Sequence, residues 1–198
     1  MIDAKHTHGG STMEELNDYS GELRRDIKLQ DFSKDALVRL WTAASKLYIG
    51  IDGVWTTVIR EKYGEQAAIE LDTEVWRRNT PLEVRRVREA MNIWGDDVAA
   101  VFKTYQCDPG VTGVAEIDCE LKDRNHGVLT FKRCLSLEYF ERHNDTAMQK
   151  FACEVIDGNE IPNYAHLFNP KIRVRALKLP PRESKDEIAC QWEFKLEA

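Results

Sequence analysis

The hydrophobic pattern of the chain changes its period near residues 107–110, and this change constrains the fold more than any other feature. Before it, apolar residues recur every three or four positions, as on one face of a helix. After it, they mostly alternate with polar residues, as along a strand. The pattern predicts an α+β protein with helices packed on a four-stranded antiparallel sheet. We divide the chain into a flexible tail (1–11), a helical subdomain (12–108) and an α+β sheet subdomain (109–198).

The helical half contains one long apolar stripe. A helix is predicted from Ser33, a good N-cap residue, to Tyr63, and Gly64 ends it. The stripe consists of residues spaced three or four apart: Leu37, Trp41, Ala44, Tyr48, Ile51, Trp55 and Val58. Such a stripe is compatible with a core inside one chain or with a homodimer.

Other elements follow from the same periodicities. Thr80-Pro81-Leu82-Glu83 has the form of a capping box with proline at the first helical position, so a new helix is predicted to begin there. The helices are predicted at 13–27, 33–63, 65–78, 81–94 and 96–105. The second half predicts strands at 112–121, 128–135, 171–179 and 187–196 and a helix at 136–143. The connector at 153–170 is predicted to be irregular or to contain a short helix.

Charge and hydropathy exclude several classes of protein. The formal net charge is −6 with a pI near 5.5, and basic residues alternate with acidic ones, so a nucleic-acid binder is not expected. No stretch reaches the ~20 apolar residues of a membrane span. The polar first residues carry no secretion signal, and we expect a cytoplasmic protein.

Five cysteines are present, and three of them lie next to the predicted sheet or its connector: Cys134, Cys153 and Cys190. Three thiolates brought together would bind zinc with one open position, or supply a reactive thiol. Strand alternation puts Cys134 on the face opposite Leu129, so it would share a face with Cys190 only across a β-bulge. The alternative is that the cysteines pack in the core.

The step Asp52-Gly53 inside the long helix is the strongest candidate for a functional acid. Glycine there costs about 1 kcal/mol relative to alanine, and a local cost of this kind often marks a functional site. If Asp52 faces a pocket with Tyr48 and Trp55, it would act as a base or bind an amine. The alternative is a surface or interhelical aspartate. His166 is a second candidate base, with a solvent or core histidine as its alternative.

Lys171, Arg173 and Arg175 share one predicted strand face. They would either hold a substrate carboxylate or pair with acidic residues of the last strand, such as Glu193, on a solvated face.

Two parts of the chain resemble a known family. The first is Leu47-Tyr48-Ile49-Gly50-Ile51-Asp52-Gly53-Val54-Trp55, followed by Glu61-Lys62-Tyr63-Gly64 and by Asp72-Thr73-Glu74-Val75-Trp76. The second is the order Arg133-Cys134, Cys153, Asn169-Pro170-Lys171, Pro180-Pro181 and Cys190-Gln191-Trp192. These motifs resemble uncharacterised prokaryotic cytosolic proteins related to the L-2-amino-thiazoline-4-carboxylate hydrolases. Such relatives carry a further cysteine where this chain has Ala176, Leu177 and Lys178.

The resemblance implies a hydrolase of non-peptide C–N or C–S bonds that acts on a small carboxylate-bearing heterocycle. The predicted catalytic residues are Asp52 and Cys153, and the predicted substrate contacts are Tyr48, Trp55 and His166. Cys134, Cys153 and Cys190 are the predicted zinc ligands. The alternative is a non-catalytic module that binds a small ligand, because the element order also resembles the ligand-binding domain of the 4-vinyl reductase type.

Overall fold

The computed structural model describes residues 15–197, so the predicted tail at 1–11 lies outside the described residues. The chain divides into two compact units, one up to Trp41 and one from Thr42 onward. Within the described range, no helix has the length and apolar character needed to cross a bilayer.

In the first unit, the helix predicted at 13–27 is wrong for the residues described, 15–27, which contain no helix. Asp18 explains part of this, because its Oδ1 accepts hydrogen bonds from the Ser20 amide (3.0 Å) and hydroxyl (2.7 Å). Side chains that bond the nearby backbone in this way compete with helix formation. The segment is held instead by the pairing of Leu16 with Phe32.

Seven α-helices and four strands follow in the described chain, with a short 3-10 turn at Leu29–Asp31 before them. The helices are α1 (Lys34–Tyr63), α2 (Glu65–Met91), α3 (Val98–Tyr105), α4 (Pro109–Thr112), α5 (Leu135–His143), α6 (Thr146–Lys150) and α7 (Asp157–His166). The strands are β1 (Ala115–Asp123), β2 (His126–Cys134), β3 (Ile172–Lys178) and β4 (Cys190–Leu196).

The region after Gly64 forms one helix, α2, where the sequence predicted two. Gly64 adopts a φ of 88° and turns the chain between α1 and α2. Pro81 lies inside α2 and removes a single backbone hydrogen bond. Next to it, the Thr80 hydroxyl lies 2.8 Å from the Trp76 carbonyl oxygen and 2.9 Å from Glu160 Oε2. Burial of Thr80 and Val84 keeps the two halves of α2 continuous.

The connector is helical from Phe151 to His166, which confirms the alternative that contains a helix. A π-helical segment, Phe151–Ile156, continues α6 and leads directly into α7. Its buried side chains, Phe151, Cys153 and Ile156, explain why the segment is ordered.

The sheet confirms the α+β prediction: all neighbouring strands are antiparallel and their order is β1-β2-β4-β3. One face is buried against α3 and α7, where the Phe102 and Phe194 rings meet at 5.2 Å. On the other face Arg175 Nη2 lies 2.8 Å from Glu193 Oε2, which confirms the cross-strand pairing.

A glycine fixes where α1 meets the sheet half of the second unit. A Cβ added at Gly113 would lie 2.2 Å from Ser45 Cβ and 2.9 Å from the Thr42 carbonyl oxygen. Since Ser45 is fully buried on α1, this contact has no room to adjust.

We expect Gly113→Ala to lower the free energy of unfolding by about 1–3 kcal/mol, the usual cost of overpacking. The matched control is Gly158→Ala in α7, where an added Cβ meets no atom of the described residues within 4 Å. This control should be neutral or slightly stabilising. Urea unfolding measures both, and equal effects would contradict the close approach.

Candidate functional site

The second-unit part of α1 buries polar residues together with Ile59, and it exposes most of its apolar residues. Ser45 and Thr56 are almost fully buried, whereas Ile51 and Trp55 are 65% and 59% exposed. The predicted apolar stripe therefore does not form a core inside this unit. The polar side of α1 faces α2, as Thr56 Oγ1 donates to Asp72 Oδ1 at 3.4 Å.

A cleft of about 250 Å³ lies between α1 and α2. It is lined by Tyr48, Ile51, Asp52 and Trp55 from α1 and by Val75, Trp76 and Asn79 from α2. The Tyr48 and Trp76 rings meet edge to face with centroids 6.2 Å apart. The structure thus brings together three predicted site residues: Tyr48, Asp52 and Trp55.

Asp52 is paired with a second carboxyl group, that of Asp72 on α2. Burial and the neighbouring Asp72 charge raise the pKa of Asp52 to about 7. Burial also raises the pKa of Asp72, opposed by hydrogen bonds from Asp52, Thr56 and Trp76. Two carboxyl groups that interact in a partly dry site hold one proton between them at neutral pH. The pair therefore offers a proton donor and a proton acceptor together.

A second carboxyl pair lies behind the cleft. Burial and the Asp108 charge raise the pKa of Glu83 to about 8, and burial raises the pKa of Asp108 as well. Asp108 Oδ2 accepts a hydrogen bond from the Tyr164 hydroxyl at 2.9 Å. Glu83 Oε1 is buried without a hydrogen-bond partner among the described residues. An unpartnered buried oxygen favours the neutral acid, so this pair also keeps a proton.

Tyr48 connects the two pairs. Its ring lines the cleft beside Asp52, its hydroxyl accepts a hydrogen bond from Asn79 Nδ2, and it interacts with Glu83. Burial and the Glu83 charge raise the pKa of Tyr48 far above its usual value, so the hydroxyl stays protonated. Gly110 permits this packing, because a Cβ there would lie 3.3 Å from Glu83 Oε1 and 3.6 Å from Tyr48 Cε1.

The three predicted thiol ligands lie apart from the cleft: Cys134 and Cys153 pack with Leu137 and Ala189, whereas Cys190 belongs to the main core under the sheet. Two backbone irregularities bring them to one side. On β2, Arg133 pairs with Glu116 and Phe131 with Ile117, so Lys132 is an extra residue. This bulge puts Cys134 on the sheet face of Cys190, as the sequence required for a shared site. Cys153 approaches from the π-helical segment, and such segments are frequent at functional sites.

The chemistry of these thiols is constrained by burial. Burial raises the pKa of Cys134, Cys153 and Cys190, and the nearby Asp157 charge adds to the effect. Such thiols are protonated at neutral pH and are poor nucleophiles. Within residues 15–197, no three His, Cys, Asp or Glu side chains are arranged to hold a metal ion. Zinc at these cysteines therefore stays a prediction.

His166, the remaining predicted contact residue, is not part of the cleft. It ends α7, and its Nε2 lies 3.1 Å from the Ile172 carbonyl oxygen. The sequence prediction missed Asp72 as the partner of Asp52. The available signal was an aspartate followed within one helical turn by a tryptophan, Asp52 before Trp55 and Asp72 before Trp76, on two helices joined by a tight turn.

These observations define an α+β protein whose helical hairpin carries an acidic cleft walled by aromatic rings. The chain belongs to a family of unknown function, DUF6125, whose pattern matches residues 30–196. No curated protein matches the chain, and no solved structure does so either.

The carboxyl pair predicts how stability depends on pH. A carboxyl group whose pKa is raised on folding binds more protons in the folded state, so its contribution to stability falls as pH rises from about 4 through about 7. Asp52→Asn cannot ionise. We therefore expect the free energy of unfolding of this variant to rise steadily relative to that of the natural protein as the pH goes from 5 to 8.

Urea unfolding of the variant and of the natural protein at four pH values measures this difference. Glu83 and Asp108 are present in both proteins, so their effects cancel. The control is Asp96→Asn, a change at an exposed aspartate outside the cleft. A difference that stays constant with pH for Asp52→Asn would contradict the shared proton.

For the thiols we expect Cys153→Ser to lower the free energy of unfolding by about 1–3 kcal/mol, because a buried thiol is replaced by a hydroxyl without an assigned partner. Ligand binding in the cleft should not change. Elemental analysis of tag-free protein provides the second measurement. Stoichiometric zinc that disappears in Cys153→Ser would contradict a purely packing role and support the predicted metal site.

Proposed function

We propose that the cleft between α1 and α2 binds a small, flat, basic nitrogen heterocycle and hydrolyses it by proton transfer through Asp52 and Asp72. The observation that carries this proposal is the pair of carboxyl groups with raised pKa at an aromatic cleft. Acid and base are most effective when their pKa lies near the working pH, and Asp52 meets this condition.

The lining supports a cationic or basic ligand. Tyr48, Trp55 and Trp76 offer ring faces or edges, which attract flat rings and positive charge. No lysine or arginine is among the described residues that line the cleft, and the Asp52–Asp72 pair supplies one negative charge. An amidine-like group would therefore lie against Asp52, whereas a carboxylate on the same ligand would point toward solvent.

The reaction proceeds by addition of water to the carbon of a C=N bond. The ionised member of the pair accepts a proton from water as its oxygen bonds to that carbon. The protonated member donates its proton to the ring nitrogen, which gives a tetrahedral adduct and leaves the pair with one proton. The adduct then collapses to a carbonyl compound: the member that is now ionised accepts the hydroxyl proton, the C–S bond breaks, and the protonated member donates its proton to the departing sulfur. The pair ends with one proton, as it began. Asn79 and Tyr48 border the cleft and orient the ligand.

This proposal agrees with the resemblance to 2-amino-thiazoline-4-carboxylate hydrolases in the type of ring but differs in the residues used. The acid–base work falls to Asp52 and Asp72, and no step passes through zinc or through Cys153. The second candidate, a non-catalytic ligand-binding module, is supported by the same aromatic lining, since binding requires the rings but not the shared proton.

The test compares two flat probes of similar size and opposite charge, benzamidine and benzoate. We expect benzamidine to bind and Asp52→Asn to weaken it at least about tenfold, the loss of a hydrogen bond between charged groups. Trp55→Ala should weaken it as well, whereas Trp94→Ala, an exposed tryptophan outside this cleft, should not. Calorimetry measures each affinity.

Turnover is tested with 2-amino-thiazoline-4-carboxylate, from which ring opening at sulfur releases a thiol that can be titrated. Thiol release that is lost in Asp52→Asn supports the hydrolase. Benzamidine binding without thiol release supports the non-catalytic module, and preference for benzoate over benzamidine would overturn both.

A further inference from the structure

The outer side of α1 carries two heptads with coiled-coil spacing. From Ala44 onward, apolar residues follow one another at steps of three, four, three and four positions, as at the a and d positions of a heptad repeat. We call this set the α1 seam: Ala44, Leu47, Ile51, Val54 and Val58. The seam is exposed, with Leu47, Ile51 and Val54 at 73%, 65% and 60% of their full accessibility.

We propose that the α1 seam is the interface with a second copy of this chain, in which the two α1 helices pair side by side. With Leu71 and Val75 on the adjoining face of α2, the exposed apolar surface amounts to roughly 500–700 Å², close to the ~800 Å² that each partner buries in a standard stable interface. The exposed apolar surface therefore supplies most of the area that a stable dimer buries on each partner.

The residues that flank the seam allow a helix to pair with itself. One flank carries Tyr48 and Trp55, and the other carries small residues, Ala43, Gly50 and Thr57. None of them is charged, so self-pairing buries no like charges. In a parallel pair the two flanks of one helix meet the opposite flanks of the other, which places large rings beside small residues. β-branched residues at the a positions, Ile51 and Val58, favour two parallel strands.

The second copy also bears on the cleft, because Ile51 belongs to both the seam and the cleft lining and Trp55 lies beside the seam. A helix laid along the seam covers the outer edge of the cleft and shields Trp55 from water. This inference does not depend on hydrolysis, since it rests on apolar surface and heptad spacing alone.

Sedimentation equilibrium between 1 and 100 µM tests the proposal. We expect a mass about twice that of the 22.9 kDa chain. Leu47→Glu and Val54→Glu, which put charge into the seam without touching the cleft, should raise the dimer dissociation constant at least about tenfold. Lys46→Glu is the matched control, because it puts the same side chain on α1 outside the seam, and it should leave the dimer intact. Circular dichroism checks that each variant is folded.

Orientation is tested by oxidation of Val54→Cys, since a parallel pair brings the two d positions together. We expect a covalent dimer from Val54→Cys but not from Gly53→Cys, which lies outside the seam. The proposal is overturned if the protein is a monomer at 100 µM. This outcome includes a monomer that binds a detergent micelle through the α1 seam. A dimer unaffected by Leu47→Glu also overturns it, and a dimer without the Val54→Cys cross-link overturns the parallel arrangement.

Discussion

The contact between α1 and α2 depends on buried polar groups, and the rest of the site follows from it. Thr56 bonds Asp72, Tyr48 bonds Asn79, and Asp52 lies against Asp72, so the buried side of α1 is largely hydrophilic. Carboxyl groups in such a contact are tolerated when they keep a proton and share hydrogen bonds. The contact that joins the hairpin therefore also produces the acid–base pair.

Much of the fold could be predicted from the sequence, because period and turn chemistry are local properties. The α+β class, the strands β1 and β2, and the helix predicted at 96–105, which corresponds to α3, all follow from short stretches. Pro81 misled the prediction, because its helix-starting pattern was overridden by the packing of Thr80 and Val84.

The candidate site was predictable only in part. Asp52 stood out because the acid–glycine step has a local cost, and its neighbours Tyr48 and Trp55 lie within one turn of it. The pairing of Asp72 with Asp52 and that of Glu83 with Asp108 did not stand out, because each depends on contacts between residues that are far apart in sequence. The bulge at Lys132 was equally hidden, since alternation alone puts Cys134 on the other face.

The two carboxyl pairs also change the electrical charge of the molecule. The formal value of −6 counts every aspartate and glutamate as ionised. Each pair that retains one proton near neutral pH removes one negative charge, so the folded chain is about two units less acidic than its composition suggests. Unfolding releases these protons to solvent, and the opened chain then migrates as a more acidic polyelectrolyte than the native protein.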